Sequence, residues 1–281
     1  MYKQDEISDY YDQTQVHYEY FWDLEKSKSL HYGMWDINTN NFKDALVNTN
    51  RVLANKLVLT KNDHVLDVGC GIGGSCLFLA QNYHCKTTGI SLSQKQIDQA
   101  NTFSKKAGLQ DQAHFIKANH CNTPFPNDSF DVIWGIESHL SEINKEDFFT
   151  EAYRVLKPGG KLIIADYLKT NNKTTAKDEL ILEKWLNCWA IKTIVSEHTF
   201  AEQLKLAGFH SIEMENVNKA IIPSARRMFY SSFMGFFGTK LYQLYNSKAS
   251  RFSKIHYKSG WFQYKALKKG LWSYQIIQAK K

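Results

Sequence analysis

A glycine-rich turn that follows an acidic residue is the first place where the sequence predicts chemistry. Residues 67–73 read Asp-Val-Gly-Cys-Gly-Ile-Gly, with the acid two residues before the first glycine. Glycines permit positive φ angles and let a ligand approach the backbone closely. In a dinucleotide-binding enzyme a comparable turn places a pyrophosphate at a helix N-terminus, where a nearby carboxylate would repel it. Asp67 therefore favours a ligand with a positive end, such as the ammonium group of a methionine-derived cofactor.

The residue at the end of the next predicted strand also favours a methionine-derived cofactor over a dinucleotide. A nicotinamide cofactor needs an acid about 20 residues beyond the glycines to hold its ribose. This sequence has Ser91 at the end of that strand. The combination of Asp67 and Ser91 favours S-adenosylmethionine over NAD as the cofactor.

The elements that must position these residues alternate between strands and helices. This alternation is typical of α/β proteins, and it predicts a Rossmann-like, seven-stranded, mostly parallel sheet with helices on both faces and a helical lid. The predicted strands are 64–68, 86–91, 113–118, 131–136, 161–166, 211–217 and 272–279. The predicted helices are 73–82, 94–107, 145–156 and 176–194. A capping box at 199–202 predicts the start of a further helix, which runs to Gly208. A helical insertion of roughly fifty residues is predicted after residue 217.

A single integrated domain with three parts is expected from a chain of 281 residues. Residues 1–55 are predicted to form an N-terminal helical lid segment, and residues 56–170 the cofactor-binding core. Residues 171–281 would complete the sheet and add helical insertions that cap the substrate.

Four motifs occur in the order and at the spacing of class I S-adenosylmethionine-dependent methyltransferases, which the sequence resembles. They are residues 64–74, residues 89–93 with Gln96, residues 123–131 and residues 154–160. The Gly-Ile-Ser-Leu-Ser form of the second motif is similar to that of cyclopropane-fatty-acid-synthase-like, sterol and tocopherol methyltransferases. The resemblance implies S-adenosylmethionine as the cofactor.

The resemblance also implies how the cofactor is held. Asp67 and the loop glycines would hold its methionine part, Ser91 and Gln96 would lie at the ribose, and Asn119 with His120 at the adenine. Ser91 and Asn119 stand where acids are common in the family. The predicted cofactor-binding residues are Asp67, Gly69, Cys70, Gly71, Gly73, Ser91, Leu92, Gln96, Asn119, His120 and Gly135.

Candidate catalytic residues follow the fourth predicted strand, because ligands gather outside the carboxyl ends of a parallel sheet. Glu137 and His139 lie there, and His31 is a third candidate from the lid. Methylation of a double bond makes a carbocation that must lose a proton to such a base. A plain loop carboxylate or a cofactor contact is the alternative for Glu137, and a surface histidine is the alternative for His139.

The N-terminal residues 10–35 are dense in aromatic side chains and resemble the lid entry of sterol and tocopherol methyltransferases. Aromatic faces stabilise cations by about 0.5–2 kcal/mol each, which suits either a carbocation or an amine acceptor. Packing within a lid helix is the alternative for part of them. The predicted substrate-binding residues are Tyr18, Trp22, Tyr32, Trp35, Trp185, Trp189, Arg226, Phe229 and Tyr230.

The charge of the chain is unevenly distributed. Residues 218–281 contain 13 Lys or Arg, 14 aromatic residues and no Asp or Glu, whereas residues 1–217 carry a net charge of −6. Such an end could bind a diphosphate through Arg226 and Arg227, rest on an anionic membrane, bind nucleic acid, or simply be a solvated face. The absence of an RNA-methyltransferase tetrad, of a catalytic cysteine motif and of an added RNA-binding domain argues against nucleic acid. The expected partners are a small-molecule acceptor and, peripherally, an anionic membrane.

The composition is that of an ordinary globular protein, with 43% hydrophobic and 22% charged residues. No signal sequence is recognised, and the five cysteines form no CxxC pair, so we expect a cytoplasmic protein with reduced thiols and no metal site. The leading hypothesis is C-methylation of a small apolar molecule such as an isoprenoid, sterol, quinone or lipid. The alternatives are N-methylation of a small amine, RNA methylation, and a cyclase that keeps the cofactor only as scaffold.

Overall fold

The central element of the computed structural model is one seven-stranded sheet. The model describes residues 27–138, 145–170, 172–189, 191–245 and 257–281. The strands are β1 His64–Val68, β2 Lys86–Ser91, β3 Ala113–Lys117, β4 Phe130–Ile136, β5 Leu156–Lys169, β6 His210–Asn216 and β7 Trp272–Lys280. Their order is β3-β2-β1-β4-β5-β7-β6, and only β7 runs antiparallel to its neighbours. The prediction of a Rossmann-like, mostly parallel sheet is confirmed.

Eight helices occur in the described part of the chain. They are α1 Phe42–Asn55, α2 Gly74–Tyr83, α3 Gln94–Lys106, α4 Lys145–Val155, α5 Ala176–Cys188, α6 Glu197–Leu206, α7 Asn218–Tyr245 and α8 Lys258–Lys268. No helix within these ranges is both long and apolar enough to cross a membrane.

The fifth strand is longer than its hydrophobic pattern predicted. The predicted 161–166 becomes Leu156–Lys169. Leu156 pairs with Phe130 of β4, and residues 161–169 pair without a break with β7, from Lys161 opposite Lys280 to Lys169 opposite Trp272. The length of β5 is therefore set by partners that local periodicity does not reveal.

Two helix boundaries were predicted wrongly. The helix predicted over 176–194 ends at Cys188, and the chain then runs to a bridge between Ser196 and Lys169. The next helix begins after Ser196, whose hydroxyl accepts a 3.1 Å hydrogen bond from the Thr199 N–H. Thr199 is therefore inside the first turn and is not the capping residue, because Ser196 supplies the cap three residues earlier.

Hydrophobic cores cover both faces of the sheet. Side chains alternate along a strand, so Trp134 of β4 packs on one face while its neighbour Ile133 packs on the other. The face of Trp134 is rich in aromatic residues from β5, α5 and β7, whereas the opposite face is covered by Phe148 and Phe149 of α4 and by α6. The aromatic face lies beside the candidate site.

Candidate active site

The loop between β1 and α2 is shaped by glycines. Gly69, Gly71 and Gly73 have φ angles of 126°, 53° and 91°. A Cβ atom on Gly69 would lie 2.2 Å from the Cβ of Ser138, so this position admits only glycine. The N–H groups of Gly69 and Cys70 both donate to the Ile90 carbonyl, at 3.0 and 2.9 Å, and thereby tie the loop to β2.

A short segment before α1, residues 27–35, lies over this loop. A Cβ on Gly74 would come within 2.1 Å of the Lys28 carbonyl oxygen, which shows how closely the two backbones approach. Between them is an open cleft, with about 400 Å³ of empty space when the adjoining solvent is included. Asp67, Gly69 and Gly71 line it from below, Ser29 and His31 from above. The cleft is therefore formed jointly by the glycine loop and residues 27–35, which are called the lid segment from here on.

Asp67 is buried in the wall of this cleft, with 3% of its surface exposed. Within the described ranges its carboxylate receives one side-chain hydrogen bond, from the Cys76 thiol at 3.7 Å. Burial raises the pKa of Asp67 from 3.8 to about 7, against a smaller opposing effect of the Cys76 hydrogen bond. A buried carboxylate that pairs with no cation in the described structure fits the ammonium group of a methionine-type ligand.

His31 supplies a second acceptor to the same cleft. Its Nδ1 lies 2.9 Å from the Tyr32 carbonyl oxygen, so we assign the proton to Nδ1, which donates. Its buried Nε2 then carries a lone pair and has no hydrogen-bond partner among the residues that the structure describes. Burial lowers the pKa of His31 from 6.5 to about 4, so the ring is neutral at physiological pH.

Most of the other residues predicted to bind the cofactor lie just after β2 and β3. The Ser91 hydroxyl donates to Gln96 Oε1 at 2.7 Å, which leaves the amide NH₂ of Gln96 to donate to a ligand. Asn119 Oδ1 accepts from the Cys121 N–H at 2.8 Å, and His120 packs edge-on against Phe148 at 5.2 Å. Leu92 is partly exposed after β2, Gly135 is buried in β4, and the Cys70 thiol donates to the Gly71 carbonyl at 3.5 Å.

Glu137 follows β4 directly and has a φ angle of 51°, which is uncommon for a residue with a side chain. Its Oε1 accepts two hydrogen bonds of 2.7 Å, from the Tyr32 N–H and from the Tyr274 hydroxyl. Burial raises the pKa of Glu137 from 4.5 to about 8, although these two hydrogen bonds lower it. Strained backbone and a perturbed carboxyl group together are typical of functional positions.

A cluster of six aromatic rings adjoins Glu137. Tyr274, which donates to Glu137, lies 5.6 Å from the Tyr32 ring. Trp185 packs against Trp189 at 5.5 Å and against Trp272 at 4.9 Å. The cluster comprises Tyr32, Tyr167, Trp185, Trp189, Trp272 and Tyr274. Only Trp189 among them is partly exposed, and the other five are buried.

The structure brings together some of the predicted acceptor-site residues and separates others. Tyr32, Trp185 and Trp189 belong to the aromatic cluster, whereas Trp35 donates through Nε1 to the Ser224 hydroxyl of α7 at 2.9 Å. Arg226 and Tyr230 are exposed on α7, and Phe229 packs between α7 and α8. Tyr18, Trp22 and His139 lie outside the described residues.

Sequence reasoning missed Tyr274, Trp272 and Tyr167. Tyr274 lies 137 residues after Glu137 in the chain. In the antiparallel pairing of β5 with β7, Tyr274 stands opposite Tyr167 and Trp272 opposite Lys169. The strand order would have been the only signal, because it brings the start of β7 to the carboxyl edge of the parallel strands.

Comparison with known proteins agrees with this geometry. Residues 65–160 match a family model described as a methyltransferase domain. The 27-O-demethylrifamycin SV methyltransferase of Amycolatopsis mediterranei (strain S699) is 32% identical over 199 residues, which cover 70% of this chain and 72% of that protein. The sterol 24-C-methyltransferase of Eremothecium gossypii is 32% identical over 163 residues, which cover 58% of this chain and 42% of that protein, less than half its length.

A solved structure shares the fold over its whole length. The cyclopropane synthase MmaA2 from Mycobacterium tuberculosis superimposes with a TM-score of 0.82 at 16% identity, over 100% of this chain and 99% of that one. The glycine loop, the buried Asp67 and the Ser91–Gln96 pair fit S-adenosylmethionine, which is the cofactor of this family. The chain belongs to the class I S-adenosylmethionine-dependent methyltransferases.

Proposed function

We propose that this methyltransferase acts on a small, largely apolar acceptor and methylates it at carbon, with Glu137 as the base. The observation that carries the proposal is the Glu137 carboxyl group itself. It accepts hydrogen bonds of 2.7 Å each from the Tyr32 N–H of the lid segment and from the Tyr274 hydroxyl of β7, and its pKa is raised to about 8.

The cofactor would be held in the cleft between the glycine loop and the lid segment. Asp67 and the His31 Nε2 are two acceptors suited to its ammonium group, and the Gln96 amide is a donor suited to its ribose. S-adenosylmethionine supplies a methyl group on a positively charged sulfur, which is already activated for transfer. The residues of this chain therefore need to align the acceptor and exclude water rather than activate the methyl group.

The aromatic cluster and Glu137 suit the methylation of an alkene acceptor, which forms a carbocation and then releases a proton. An alkene that gains a methyl group becomes a carbocation, and aromatic faces together with a carboxylate stabilise such a charge. The cation becomes a neutral alkene again when it loses a proton. We propose that Glu137 takes that proton, and its raised pKa makes it a stronger base than an ordinary carboxylate.

The relatives support carbon methylation through their names. The sterol relative is a 24-C-methyltransferase, and the structural neighbour is a cyclopropane synthase. Both names describe transfer to carbon. An isoprenoid, sterol, quinone or lipid-like acceptor is therefore proposed for this chain.

A second candidate is methylation of a hydroxyl group. The rifamycin relative, which is named for transfer to oxygen, matches over the larger share of both chains. Glu137 would serve there as well, because a hydroxyl nucleophile must also give up a proton. Methylation of an amine is less well supported, since a neutral amine attacks without a base.

The test is a panel of isoprenoid, sterol, quinone, hydroxyl and amine acceptors incubated with cofactor carrying a labelled methyl group. We expect labelled product from apolar alkenes, with the label on carbon, and a large loss of turnover in Glu137→Gln. Glu183→Gln, which changes an exposed glutamate of α5, is the matched control. Label recovered from amines alone would overturn the proposal.

A further inference from the structure

We infer that the outer face of the α7–α8 pair is a docking surface for an anionic lipid bilayer. This inference concerns a surface that the cofactor and acceptor chemistry does not use, and it holds whichever acceptor is methylated. The surface, called here the outer patch, comprises Arg226, Arg227, Tyr230, Phe233 and Met234 of α7 with Lys258, Trp261 and Lys265 of α8.

The outer patch concentrates exposed apolar side chains. Tyr230 is 62% exposed, Phe233 43%, Met234 72% and Trp261 47%. Together with Phe236 these are five of the nine large hydrophobic side chains that are exposed in the described part of the chain. An apolar surface of this kind, when it is contiguous, marks an interaction site rather than ordinary surface variation.

Helical spacing makes the patch contiguous. Arg226, Tyr230 and Phe233 follow one another at steps of four and three residues along α7, so they share one face. Lys258, Trp261 and Lys265 do the same along α8 at steps of three and four. The two faces meet where the rings of Phe233 and Trp261 lie 5.5 Å apart.

The patch is also positively charged. Arg226, Arg227, Lys258 and Lys265 are exposed, and residues 218–281 contain no acid. Of the three acids of the neighbouring helix α5, Asp178 pairs with Lys269 and Glu179 with Lys169, and Glu183 is exposed and forms no ion pair with the patch within the described ranges. Within the described ranges no ion pair neutralises Arg226, Lys258 or Lys265.

A bilayer surface matches both properties at once. Tryptophan, tyrosine and phenylalanine side chains partition into the boundary between lipid headgroups and acyl chains, and lysine and arginine around them are attracted to anionic headgroups. A nucleic acid backbone would use the cations but would leave Phe233 and Met234 in water. The outer patch therefore fits an anionic membrane better than it fits nucleic acid.

The inner side of the same two helices contacts the candidate active site. The side-chain Oε1 of Gln263 in α8 accepts a hydrogen bond from the Tyr32 hydroxyl at 2.9 Å. The backbone carbonyl of Gln263 accepts a second one from Trp272 Nε1 at 3.0 Å. Ser224 of α7 accepts from Trp35. One pair of helices thus faces the aromatic cluster with one side and would face the bilayer with the other, which places a membrane-dissolved acceptor next to the site.

The experiment is sedimentation of the full chain with vesicles of phosphatidylcholine, with and without phosphatidylglycerol. We expect binding that requires phosphatidylglycerol and weakens steeply as salt is added. Lys258→Gln with Lys265→Gln should weaken binding about 25-fold, because each basic residue near an anionic surface contributes a factor of about five. Phe233→Ser with Met234→Ser should also weaken it, and this loss should not depend on salt.

The controls use equally exposed residues outside the patch. Val58→Ser with Leu206→Ser, and Lys43→Gln with Lys95→Gln, should leave vesicle binding unchanged, and unfolding curves verify that all variants are folded. Binding to neither vesicle, equal binding to both, or full binding by the patch variants would overturn the inference. So would a wild-type dimer that the patch variants convert to a monomer, since the patch would then be an interface between copies.

Discussion

The carboxyl group of Asp67, which we propose binds the cofactor, is energetically costly to bury while no ligand is bound. Its pKa is raised from 3.8 to about 7, so the folded protein keeps this proton where the unfolded chain has lost it. The stabilising effect is complete below pH 3.8 and is lost as the pH rises towards 7. A ligand ammonium beside the ionised carboxylate would reverse this penalty.

Replacement of Asp67 by asparagine should therefore separate stability from binding. We expect Asp67→Asn without ligand to be more stable than wild type at about pH 8, by about 2–4 kcal/mol, since one pKa unit corresponds to about 1.4 kcal/mol. The difference in stability between Asp67→Asn and wild type should shrink as the pH falls. Cofactor affinity should drop by roughly 10- to 100-fold, because a charge-assisted hydrogen bond is lost.

Denaturant unfolding at several pH values and calorimetric titration with the cofactor measure both effects. Asp98→Asn, on the exposed surface of α3, is the control. Equal stability of Asp67→Asn and wild type at every pH, together with unchanged affinity, would contradict the assignment of Asp67.

His31 is expected to hold the cofactor rather than to act as the base. Its ring is neutral above about pH 4, and it lines the cleft beside Asp67, whereas Glu137 lies at the aromatic cluster. We predict that His31→Ala weakens cofactor binding roughly tenfold, by the loss of one hydrogen bond. With saturating cofactor, kcat and its pH dependence should stay close to wild type. A collapse of kcat with intact affinity would instead make His31 the base.

At the scale of elements, the glycine loop is fitted to the turn that follows β4. Gly69 has both a positive φ angle and no room for a side chain, because Ser138 would lie 2.2 Å from its Cβ. Gly71 shares the positive φ angle, but nothing lies within 4 Å of its Cβ position. Gly69 therefore combines backbone strain, at a φ angle of 126°, with steric conflict, whereas Gly71 has only the milder strain of a φ angle of 53°.

Gly69→Ala should destabilise the protein more than Gly71→Ala does. Backbone strain alone costs about 1–3 kcal/mol, and overpacking adds about 1–3 kcal/mol. Ser138→Gly should recover the steric part of the Gly69→Ala loss and leave the strain. Chemical denaturation measures the free energy of unfolding of wild type, Gly69→Ala, Gly71→Ala and the double variant Gly69→Ala with Ser138→Gly. Equal losses of stability in Gly69→Ala and Gly71→Ala would refute the prediction.

Local sequence patterns predicted the strands beside the proposed cofactor cleft and failed where long-range pairing determines the structure. β1 and β2 were predicted with their observed bounds, because buried strands and glycine turns are local signals. The extent of β5 depends on β7, more than a hundred residues away in the chain. The same pairing brings Tyr274 to Glu137, so the partner that tunes the proposed base could not be read from its neighbourhood in sequence.

At the scale of the whole molecule, Glu137 joins three parts of the fold. It follows β4, its carboxylate accepts from Tyr32 of the lid segment, and it accepts from Tyr274 of β7. Movement of the lid segment or of β7 would change the hydrogen bonds that lower the Glu137 pKa. The pKa of the proposed base therefore depends on whether the lid segment and β7 are both in place around it.

The assignment of Glu137 as the base can be tested by the dependence of kcat/KM on pH, measured for wild type and Glu137→Gln with an alkene acceptor that the enzyme methylates. For wild type we predict a rise with pH through an apparent pKa of about 8, because Glu137 must be ionised to take the proton. Glu137→Gln should lose roughly 100- to 10,000-fold in rate and show no such rise, while Tyr274→Phe should shift the rise to higher pH. A wild-type profile without this rise, or one that Glu137→Gln retains at full rate, would contradict the assignment of Glu137 as the base.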